Sequence, residues 1–288
     1  MNKNRISRSS SGRKLSPGTR LRRALQAERP LQVVGVINAY AAILAEKTGF
    51  RALYLSGAGV ANASYGIPDV GITTLDDVLI DVRRITAITQ LPLLVDADTG
   101  WDNPRKTVRE MIKAGAAGIH IEDQVEAKRC GHLAGKQLVS TKAMVTRLKA
   151  ALAGKTDPAF VIMARTDAVA SEGMETAIAR ARRYRDAGAD MIFAEALTDL
   201  QEFRRFAEAV KIPVLANITE FGKTPLFTVK DLAEAGVRLA LYPLSAFRAM
   251  NAAALQVYRT LRTQGTQKDA LHLMQTRKEL YEFLDYKN

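Results

Sequence analysis

A regular alternation of short apolar runs with amphipathic helical patterns constrains the fold of this chain more than any other sequence feature. The runs are rich in branched residues and end at a polar residue or glycine; they lie at residues 31–37, 52–55, 91–95, 118–121, 160–164, 191–194, 213–216 and 237–241. Apolar runs separated by helices predict parallel strands buried on both faces. Eight such units favour an α/β fold closed into a (β/α)8 TIM-type barrel, and an open doubly wound sheet is the alternative.

Local signals predict where individual helices begin. Thr74 and Asp77 have the spacing of a capping box, in which side chains and backbone N–H groups satisfy each other at the first helical turn. Thr198 and Gln201 have the same spacing and predict the start of a later helix. No glycine-rich nucleotide-binding loop follows any of the predicted strands, which weakens the nucleotide-binding form of the open-sheet alternative.

Charge is distributed unevenly along the chain. The formal net charge is +12, and eight positive charges fall within the first 23 residues, which contain no Asp or Glu, so the remainder carries only +4. Residues 1–15 are polar and lack apolar periodicity, which predicts a disordered basic tail. Residues 16–288 are predicted to form one barrel domain that includes two extra C-terminal helices, at 246–262 and 269–284.

The basic tail bears on location and partners. Its composition would also suit a mitochondrial import signal in a eukaryote, or an arm that binds nucleic acid. Nucleic acid is an unfavoured partner because the body of the chain is only mildly basic. No apolar run reaches the length of a membrane span, so the sequence predicts a cytoplasmic protein with no membrane partner.

In a barrel of this kind the active-site residues lie at the carboxyl ends of the strands. The predicted strands here are followed by polar residues: Asn38, Ser56, Asp96, Asp98, Glu122, Asp123, Arg165, Asp167, Glu195, Asn217, Thr219, Tyr242 and Ser245. Any one of them alone could be a loop residue or a helix cap. Polar groups at the end of every strand favour a functional site, since several carboxylates around one mouth need cations to balance them.

Two aspartates at the end of the third run indicate a metal site. Asp96 and Asp98 lie two residues apart, so in an extended backbone both side chains would project to the same side. Glu122 ends the neighbouring run and would extend the same set of oxygen ligands. Such ligands suit Mg²⁺, which usually keeps several waters, whereas the Cys and His cluster of a Zn²⁺ site is lacking nearby. Two aspartates that cap loops are the alternative interpretation.

The single cysteine, Cys130, lies in the polar segment KRCGH at residues 128–132, between the fourth and fifth strands. Two cations and a histidine beside one thiol would stabilise a thiolate or position the thiol as a proton donor. An inert buried cysteine is the alternative, but it needs apolar neighbours that this segment lacks. His120 and His272 have no comparable surroundings, and packing is the expected role of both.

Several of these motifs occur together in one known group of enzymes. The chain from about Ser16 to its end resembles the lyases of the isocitrate lyase and phosphoenolpyruvate mutase superfamily. The resemblance rests on KRCGH together with SG at 56–57, PD at 68–69, DAD at 96–98, IED at 121–123, MARTD at 163–167, NITEFG at 217–222 and YPLSAFR at 242–248. It implies Mg²⁺ as cofactor and a homotetramer that exchanges terminal helices between neighbours. It also implies cleavage of (2S,3R)-2-methylisocitrate to pyruvate and succinate, in the methylcitrate cycle of propionate breakdown.

The resemblance further implies roles for individual residues. Asp96 and Asp98 would bind Mg²⁺, with Glu122 contacting it through water, and Cys130 would be the general acid. The implied substrate-binding residues are Ser56, Gly57, Ala58, Cys130, Gly131, Arg165, Glu195, Asn217, Ile218, Thr219, Arg248 and Arg277. The arginines suit a tricarboxylate because their planar forks bind carboxylates in bidentate fashion.

The implied reaction is a retro-aldol cleavage, which has three chemical requirements. It needs a base for the hydroxyl proton, a cation for the charge that develops, and an acid for the departing carbanion. Mg²⁺ and Cys130 meet the second and third requirements. The base stays unassigned among Tyr40, Asp69 and Glu195.

Other functions stay open at this point. An oxaloacetate hydrolase or a phosphonate-forming mutase of the same superfamily would share Asp96 and Asp98 but has no need of Cys130 as an acid. An isocitrate lyase-like enzyme is a further alternative. True isocitrate lyases are much longer and carry a serine-rich segment where residues 217–222 stand. The least favoured alternative is a nucleic-acid-binding protein that uses the basic tail, whose binding would depend steeply on salt.

Overall fold

The computed structural model describes residues 15–125 and 137–286. In this part of the chain eight strands form, and each overlaps one of the predicted apolar runs: β1 (Leu31–Gly35), β2 (Ala52–Leu55), β3 (Leu93–Asp96), β4 (Gly118–Glu122), β5 (Val161–Thr166), β6 (Met191–Ala194), β7 (Val214–Asn217) and β8 (Leu239–Tyr242). Each strand pairs in parallel with its successor, and β8 pairs with β1, so the sheet closes. The predicted (β/α)8 barrel is confirmed, and the open sheet is wrong.

Helices follow every strand and surround the barrel. Within the described ranges they are α1 (Pro17–Ala27), α2 (Ala39–Lys47), α3 (Gly57–Gly59), α4 (Leu75–Thr86), α5 (Pro104–Lys113), α6 (Thr141–Leu152), α7 (Val169–Glu172), α8 (Met174–Asp186), α9 (Leu200–Val210), α10 (Val229–Glu234), α11 (Ser245–Gln264) and α12 (Arg277–Phe283). A π-helical turn, Val60–Ser64, directly follows α3. Such turns are rare and are frequently found at functional sites.

The helix starts show where local chemistry decides the boundary. Helix α4 begins with the predicted capping box of Thr74 and Asp77. Helix α9 begins one residue later than predicted: Asp199 is its N-cap and accepts the N–H of Glu202. The Glu202 carboxylate in turn accepts the N–H of Thr198 at 2.7 Å. The predicted pairing of Thr198 with Gln201 is wrong because the acidic side chains one position further along make these bonds.

The C-terminal region contains one long helix, as predicted, and then departs from the prediction. Helix α11 ends at Gln264 and is capped by Gly265, which has a left-handed φ of +69°. The predicted single helix at 269–284 is wrong, since the chain forms a 3-10 helix, Lys268–Leu273, and then α12. Thr276 starts α12 anew by forming a capping box with Glu279. The extra helices therefore form three helical pieces instead of two.

Two apolar clusters build the core. One fills the barrel interior, and the other fills the space between the barrel and its helices. Leu21 and Leu25 of α1 belong to the interior cluster with Leu31 at the start of β1, so α1 covers the amino-terminal end of the barrel. Gly18 permits this approach, because a Cβ there would lie 2.5 Å from the backbone of Ala159. Closure of this end leaves the carboxyl end for a functional site.

Two further predictions concern membrane spans and the N-terminal tail. No helix in the two described ranges is long and apolar enough to cross a membrane. The predicted tail, residues 1–15, lies outside the described residues except for its last member, Leu15. The division into a tail and one barrel domain therefore stays a prediction.

Candidate active site

Polar residues gather at the carboxyl ends of the strands, where the sequence predicts a site. Those that are buried there are Ser56, Asp96, Asp98, Glu122, Asp123, Arg165, Asp167, Glu195, Asn217 and Thr219. Burial of an unpaired charge is costly, so charged groups in such a place must be balanced by hydrogen bonds or opposite charges.

The predicted metal-binding aspartates meet at the backbone of Gly57. The Gly57 N–H donates to Oδ2 of Asp96 at 3.1 Å, and a Cβ on Gly57 would lie 3.3 Å from Oδ1 of Asp98. The two carboxylates therefore converge as predicted, but the predicted reason is wrong. Strand β3 ends at Asp96, and Asp98 has a left-handed φ of +47°. A turn directs Asp98 toward Asp96, which a continuous extended strand does not do.

The two aspartates suit Mg²⁺ better than they suit a metal ion whose ligands all come from the protein. Among the described residues, no three His, Cys, Asp or Glu side chains are grouped closely enough to hold a metal by themselves. Mg²⁺ commonly uses one or two carboxylates and fills its other positions with water and substrate. Glu122 lies on the adjacent strand, where its N–H donates to the Asp98 carbonyl at 2.8 Å. This position is consistent with a contact to the metal through water.

Arg165, at the end of β5, is the cation at the centre of the acidic mouth. Asp167 holds its guanidinium in a fork, with Nε to Oδ2 at 2.9 Å and Nη2 to Oδ1 at 3.2 Å. Glu195 lies 3.1 Å from Nη2, and Glu122 lies 3.4 Å from Nε. The Arg165 side chain is therefore fixed by three carboxylates, from the ends of its own strand β5 and of the neighbouring strands β4 and β6.

The electrostatics of Arg165 follow from these contacts. Burial by itself would lower the pKa of the guanidinium, but Asp167, Glu195 and Glu122 together raise this pKa well above its ordinary value. The guanidinium also lies over the ring of Phe193, 5.0 Å from its centroid. Arg165 is thus a permanent, oriented cation, which is the property that carboxylate recognition requires.

Asn217 extends this cluster, and the residues after it line the same rim. The Asn217 amide Nδ2 lies 3.5 and 3.4 Å from the two oxygens of Glu195. Ile218 is buried and donates its N–H to the Leu241 carbonyl at 2.8 Å, which ties this segment to β8. Thr219 is buried beside them. The predicted grouping of Asn217, Ile218 and Thr219 at one place on the rim is therefore observed.

The segment after β2 forms a turn of helix at the rim. Ser56 is the N-cap residue of α3, and Ala58 is half-buried within it. The helix is followed at once by the π-helical turn Val60–Ser64. The structure thus places Ser56, Gly57 and Ala58 beside the aspartate pair.

Tyr54 and His120 form a buried pair that the sequence analysis missed. The Tyr54 hydroxyl lies 2.8 Å from Nε2 of His120, and the same nitrogen lies 3.6 Å from Oδ1 of Asp96. Burial and then the Asp96 carboxylate raise the pKa of Tyr54 well above its ordinary value. The expectation of mere packing for His120 is incomplete. The register of β3 against β4 places His120 opposite Asp96. The sequence of one strand does not contain this register.

Arg248 lies at the edge of the mouth. It is in the first turn of α11, with its side chain 44% exposed and its Nε 3.6 Å from Oε2 of Glu220. The Glu220 carboxylate also accepts a hydrogen bond from the Ser245 hydroxyl. The Arg248 guanidinium stacks over Phe221, which is 94% exposed and has a left-handed φ of +62°. Arg248 is therefore accessible to a ligand that enters the mouth.

Arg277 differs from the other predicted substrate residues because it is exposed at the first position of α12. The hydroxyl of Tyr40, at the start of α2, donates to the side chain of Gln275 at 2.6 Å. This bond places the segment before α12 next to the carboxyl end of β1. In the single chain Arg277 lies on the rim side of the barrel, but it is exposed, whereas Arg165 is buried.

Cys130 and Gly131, together with the rest of the KRCGH segment, lie outside the described residues. The described residues on either side of this gap are paired: Gln124 bridges to Leu138, and Val125 donates its N–H to Gln137 at 3.0 Å. The described residues on the two sides of the gap are therefore next to each other, a few residues after Glu122. The proposed role of Cys130 stays a prediction.

Fold and site together define a (β/α)8-barrel enzyme with an oxygen-ligand site and an arginine clamp at its mouth. The profile of the phosphoenolpyruvate phosphomutase family matches residues 21–262. The chain belongs to this family. The predicted superfamily is therefore confirmed.

Individual relatives narrow this class. The chain is 61% identical over 275 residues to 2-methylisocitrate lyase of Escherichia coli (strain K12), covering 94% of this chain and 93% of that protein. It is also similar to the structure of 2,3-dimethylmalate lyase, with 36% identity, a TM-score of 0.87 and coverage of 95% and 93%. A phosphonopyruvate hydrolase in complex with oxalate and Mg²⁺ is similar at 28% identity and a TM-score of 0.82, covering 94% and 95%. The chain is a carbon–carbon lyase of this family.

Proposed function

We propose that this protein cleaves (2S,3R)-2-methylisocitrate to pyruvate and succinate, in the methylcitrate cycle of propionate breakdown. The observation that carries the proposal is the convergence of Asp96 and Asp98 on Gly57 at the same mouth as the clamped Arg165. A tricarboxylate with a hydroxyl group needs both features: oxygen ligands for a metal and fixed cations for its carboxylates. The identity to a 2-methylisocitrate lyase over nearly the whole chain supports this substrate.

We assign Mg²⁺ to Asp96 and Asp98, with Glu122 reaching it through water. Both aspartates are buried, and the Gly57 N–H fixes the orientation of the Asp96 carboxylate. The Mg²⁺ and oxalate bound by the related phosphonopyruvate hydrolase support the choice of metal. Bound there, Mg²⁺ would act as a Lewis acid and as a template for the hydroxyl and carboxylate oxygens of the substrate.

The substrate carboxylates would be held by Arg165, Arg248 and Arg277. Arg165 is fixed by its three carboxylate partners, so little side-chain freedom is lost when a ligand binds. Arg248 is already at the mouth, while Arg277 would complete the pocket from α12. Further contacts are proposed for Ser56, Gly57, Ala58, Gly131, Glu195, Asn217, Ile218 and Thr219.

In the bond-breaking step, the substrate hydroxyl loses its proton and its oxygen becomes the 2-oxo group of pyruvate. The electron pair of the broken carbon–carbon bond stays on the succinate fragment, which then takes up a proton. We propose Cys130 as the acid that supplies this proton. A single thiol proton per cleavage balances the step, and the proton taken from the hydroxyl restores the enzyme.

The structure adds Tyr54 and His120 to the candidates for the base. Tyr54 keeps its own proton at neutral pH, because its pKa is raised by burial and by Asp96. It can therefore act as a relay that accepts the hydroxyl proton while passing its own proton to Nε2 of His120, 2.8 Å away. Two of the earlier candidates already have partners: the Tyr40 hydroxyl donates to Gln275, and the Glu195 carboxylate lies 3.1 Å from the Arg165 guanidinium. Asp69 stays a candidate.

A homotetramer that exchanges terminal helices is the proposed assembly. Helix α11 has 20 residues and none of them is buried in the single chain. Met250, Leu255, Tyr258 and Leu261 are exposed along this helix. Apolar side chains repeated along one helix are typical of a surface that another copy covers. Light scattering of the purified protein tests the proposal, and a monomer at working concentration would contradict it.

One assay tests the proposed function. The purified protein is incubated with Mg²⁺ and either 2-methylisocitrate or isocitrate, and pyruvate and glyoxylate are measured separately. We expect pyruvate from the first substrate and little glyoxylate from the second. Absence of pyruvate, under conditions where the Escherichia coli relative is active, would overturn the proposal. We expect the protein in the cytoplasm, and we expect neither a membrane nor nucleic acid as a partner.

A further inference from the structure

Asp123, the residue after β4, is a buried carboxylate for which the proposed reaction has no role. Its Oδ2 accepts hydrogen bonds from the Tyr184 hydroxyl and from the Thr166 hydroxyl, each at 2.8 Å. Its Oδ1 accepts the backbone N–H of Asp167 at 3.0 Å. Burial raises the pKa of Asp123, and the three donated hydrogen bonds oppose this shift. Three donors directed at two oxygens are the arrangement that an ionised carboxylate requires.

Asp123 is linked to the guanidinium of Arg165 through one intermediate residue. The Asp167 N–H binds Asp123, and the Asp167 carboxylate forms the fork that holds Arg165. The Asp123 N–H also donates to the Arg165 carbonyl at 3.2 Å. The orientation of the Asp123 carboxylate therefore constrains the residue that orients the substrate arginine.

Helix α8, on the outside of the barrel, fixes the other side of Asp123. Tyr184 is buried in this helix, and burial and the Asp123 charge raise the pKa of its phenol, so it remains a hydrogen-bond donor. Arg180, one turn earlier, donates to the Tyr184 oxygen at 3.2 Å. Glu172 holds Arg180 in a bidentate pair at 2.7 and 2.6 Å. Each group in this series of hydrogen bonds has a defined partner, and the Tyr184 hydroxyl therefore has a single orientation.

We propose that Tyr184 is a positioning residue for substrate binding, acting on Arg165 through Asp123 and Asp167. The inference rests on the proposed function, because Arg165 is taken to bind a substrate carboxylate. Without the Tyr184 hydroxyl, Asp123 keeps Thr166 as a donor to Oδ2 and keeps Arg180 at 3.8 Å, but it loses its hydrogen bond to α8. The fork on Arg165 is then less well oriented. A carboxylate contact made alike in the ground state and the transition state affects KM more than kcat.

The test is Tyr184→Phe, which removes one hydroxyl and keeps the ring. We expect the KM for 2-methylisocitrate and the inhibition constant of succinate to rise together by about 3- to 10-fold, the range for one hydrogen bond. We expect kcat to stay within about twofold. The matched control is Tyr65→Phe, because the Tyr65 hydroxyl also donates to an aspartate, Asp77, at 2.7 Å, but at an exposed site. The control should leave KM, kcat and the succinate constant unchanged.

The outcomes separate positioning from stability and from failure of the proposed function. A lower kcat with unchanged KM would show only a loss of folded enzyme and would overturn the inference, as would unchanged constants throughout. If Tyr184→Phe does not fold, Thr166→Val removes the second donor to the same oxygen and should raise KM in the same way. Cleavage by the unaltered chain is measured first. If it cleaves the substrate and both variants keep its KM, only the positioning role is wrong.

Discussion

The backbone N–H of Gly57 donates to Oδ2 of Asp96 at 3.1 Å, across the gap between β2 and β3. The glycine leaves room for both metal-site carboxylates, since a Cβ at this position would lie 3.1 Å from Asp96 Oδ2 and 3.3 Å from Asp98 Oδ1. These distances are tighter than ordinary van der Waals contacts. Gly57 thus leaves room for both carboxylates and orients that of Asp96.

This relationship predicts the effect of Gly57→Ala. The added methyl group must displace at least one carboxylate, so we expect weaker Mg²⁺ activation and a much lower kcat/KM in a protein that still folds. Gly59→Ala is the matched control, because a Cβ there meets only ordinary contacts of 3.4 to 3.5 Å in the same helical segment. Measurement of activity against Mg²⁺ concentration, with circular dichroism, compares the two. Equal Mg²⁺ dependence in both variants would contradict this role of Gly57.

Removal of the metal ligands should remove activity. Chelation should abolish turnover and Mg²⁺ should restore it, whereas Asp96→Ala and Asp98→Ala should lose more than about 100-fold in kcat/KM, beyond the loss typical of outer partners of a metal. The control is Asp102→Ala, an exposed aspartate shortly after the same strand, which should behave like the unaltered chain. Full activity in excess chelator would exclude the assigned role of Mg²⁺.

Replacement of Cys130 tests the proposed acid. Loss of a positioned general acid costs roughly 10²- to 10⁴-fold in rate, so Cys130→Ser should bind the substrate and turn it over poorly. The chain contains one cysteine, so an alkylating reagent should modify a single thiol, inactivate the protein, and react more slowly when succinate is bound. Near-normal turnover by Cys130→Ser would assign the residue to packing instead.

The buried pair of Tyr54 and His120 predicts a proton-transfer defect. Tyr54→Phe removes the hydroxyl 2.8 Å from Nε2 of His120 and should lower kcat by roughly 10²- to 10⁴-fold with little change in KM. Because the Tyr54 pKa is raised, its ionisation should not limit activity on the alkaline side near neutral pH. A pH–rate profile of the unaltered chain checks this. A Tyr54→Phe protein with normal kcat would exclude the relay.

The preferred substrate is the most direct prediction of the proposed function. The two candidate substrates differ by one methyl group, which is worth about 1 to 3 kcal/mol, or roughly 10- to 200-fold in specificity. We expect 2-methylisocitrate to have the higher kcat/KM, with weak cleavage of isocitrate, because a pocket that fits the methyl group still accepts its absence. Equal or better efficiency with isocitrate, at the same Mg²⁺ concentration and pH, would falsify the assignment.

The order of elements follows from local sequence pattern. Apolar runs that alternate with amphipathic helices predict eight strands, and all eight are observed in a closed barrel. The residues that end those runs predict the buried acids and Arg165 at one mouth, because all strands of a parallel barrel point the same way. Capping motifs such as Thr74 with Asp77 also depend only on neighbours in sequence.

Local pattern is a weaker guide to exact boundaries. The start of α9 moves from Thr198 to Asp199 because Asp199 and Glu202 make the capping bonds that were expected of Thr198 and Gln201. The predicted last helix, at 269–284, is interrupted after the 3-10 helix Lys268–Leu273, and Thr276 caps a new helix. In both places nearby residues compete for the same backbone groups, and small differences in free energy decide between them.

Only the tertiary structure decided which of the site residues touch. The Tyr54 contact with His120 depends on strand register, and the approach of Asp98 to Asp96 depends on a left-handed turn. The link from Tyr184 to Asp123 joins residues 61 positions apart in the chain. Periodicity along a chain specifies which face a residue occupies. Distances of about 3 Å between side chains are fixed by the packing of different elements against one another, which no single segment of the sequence contains.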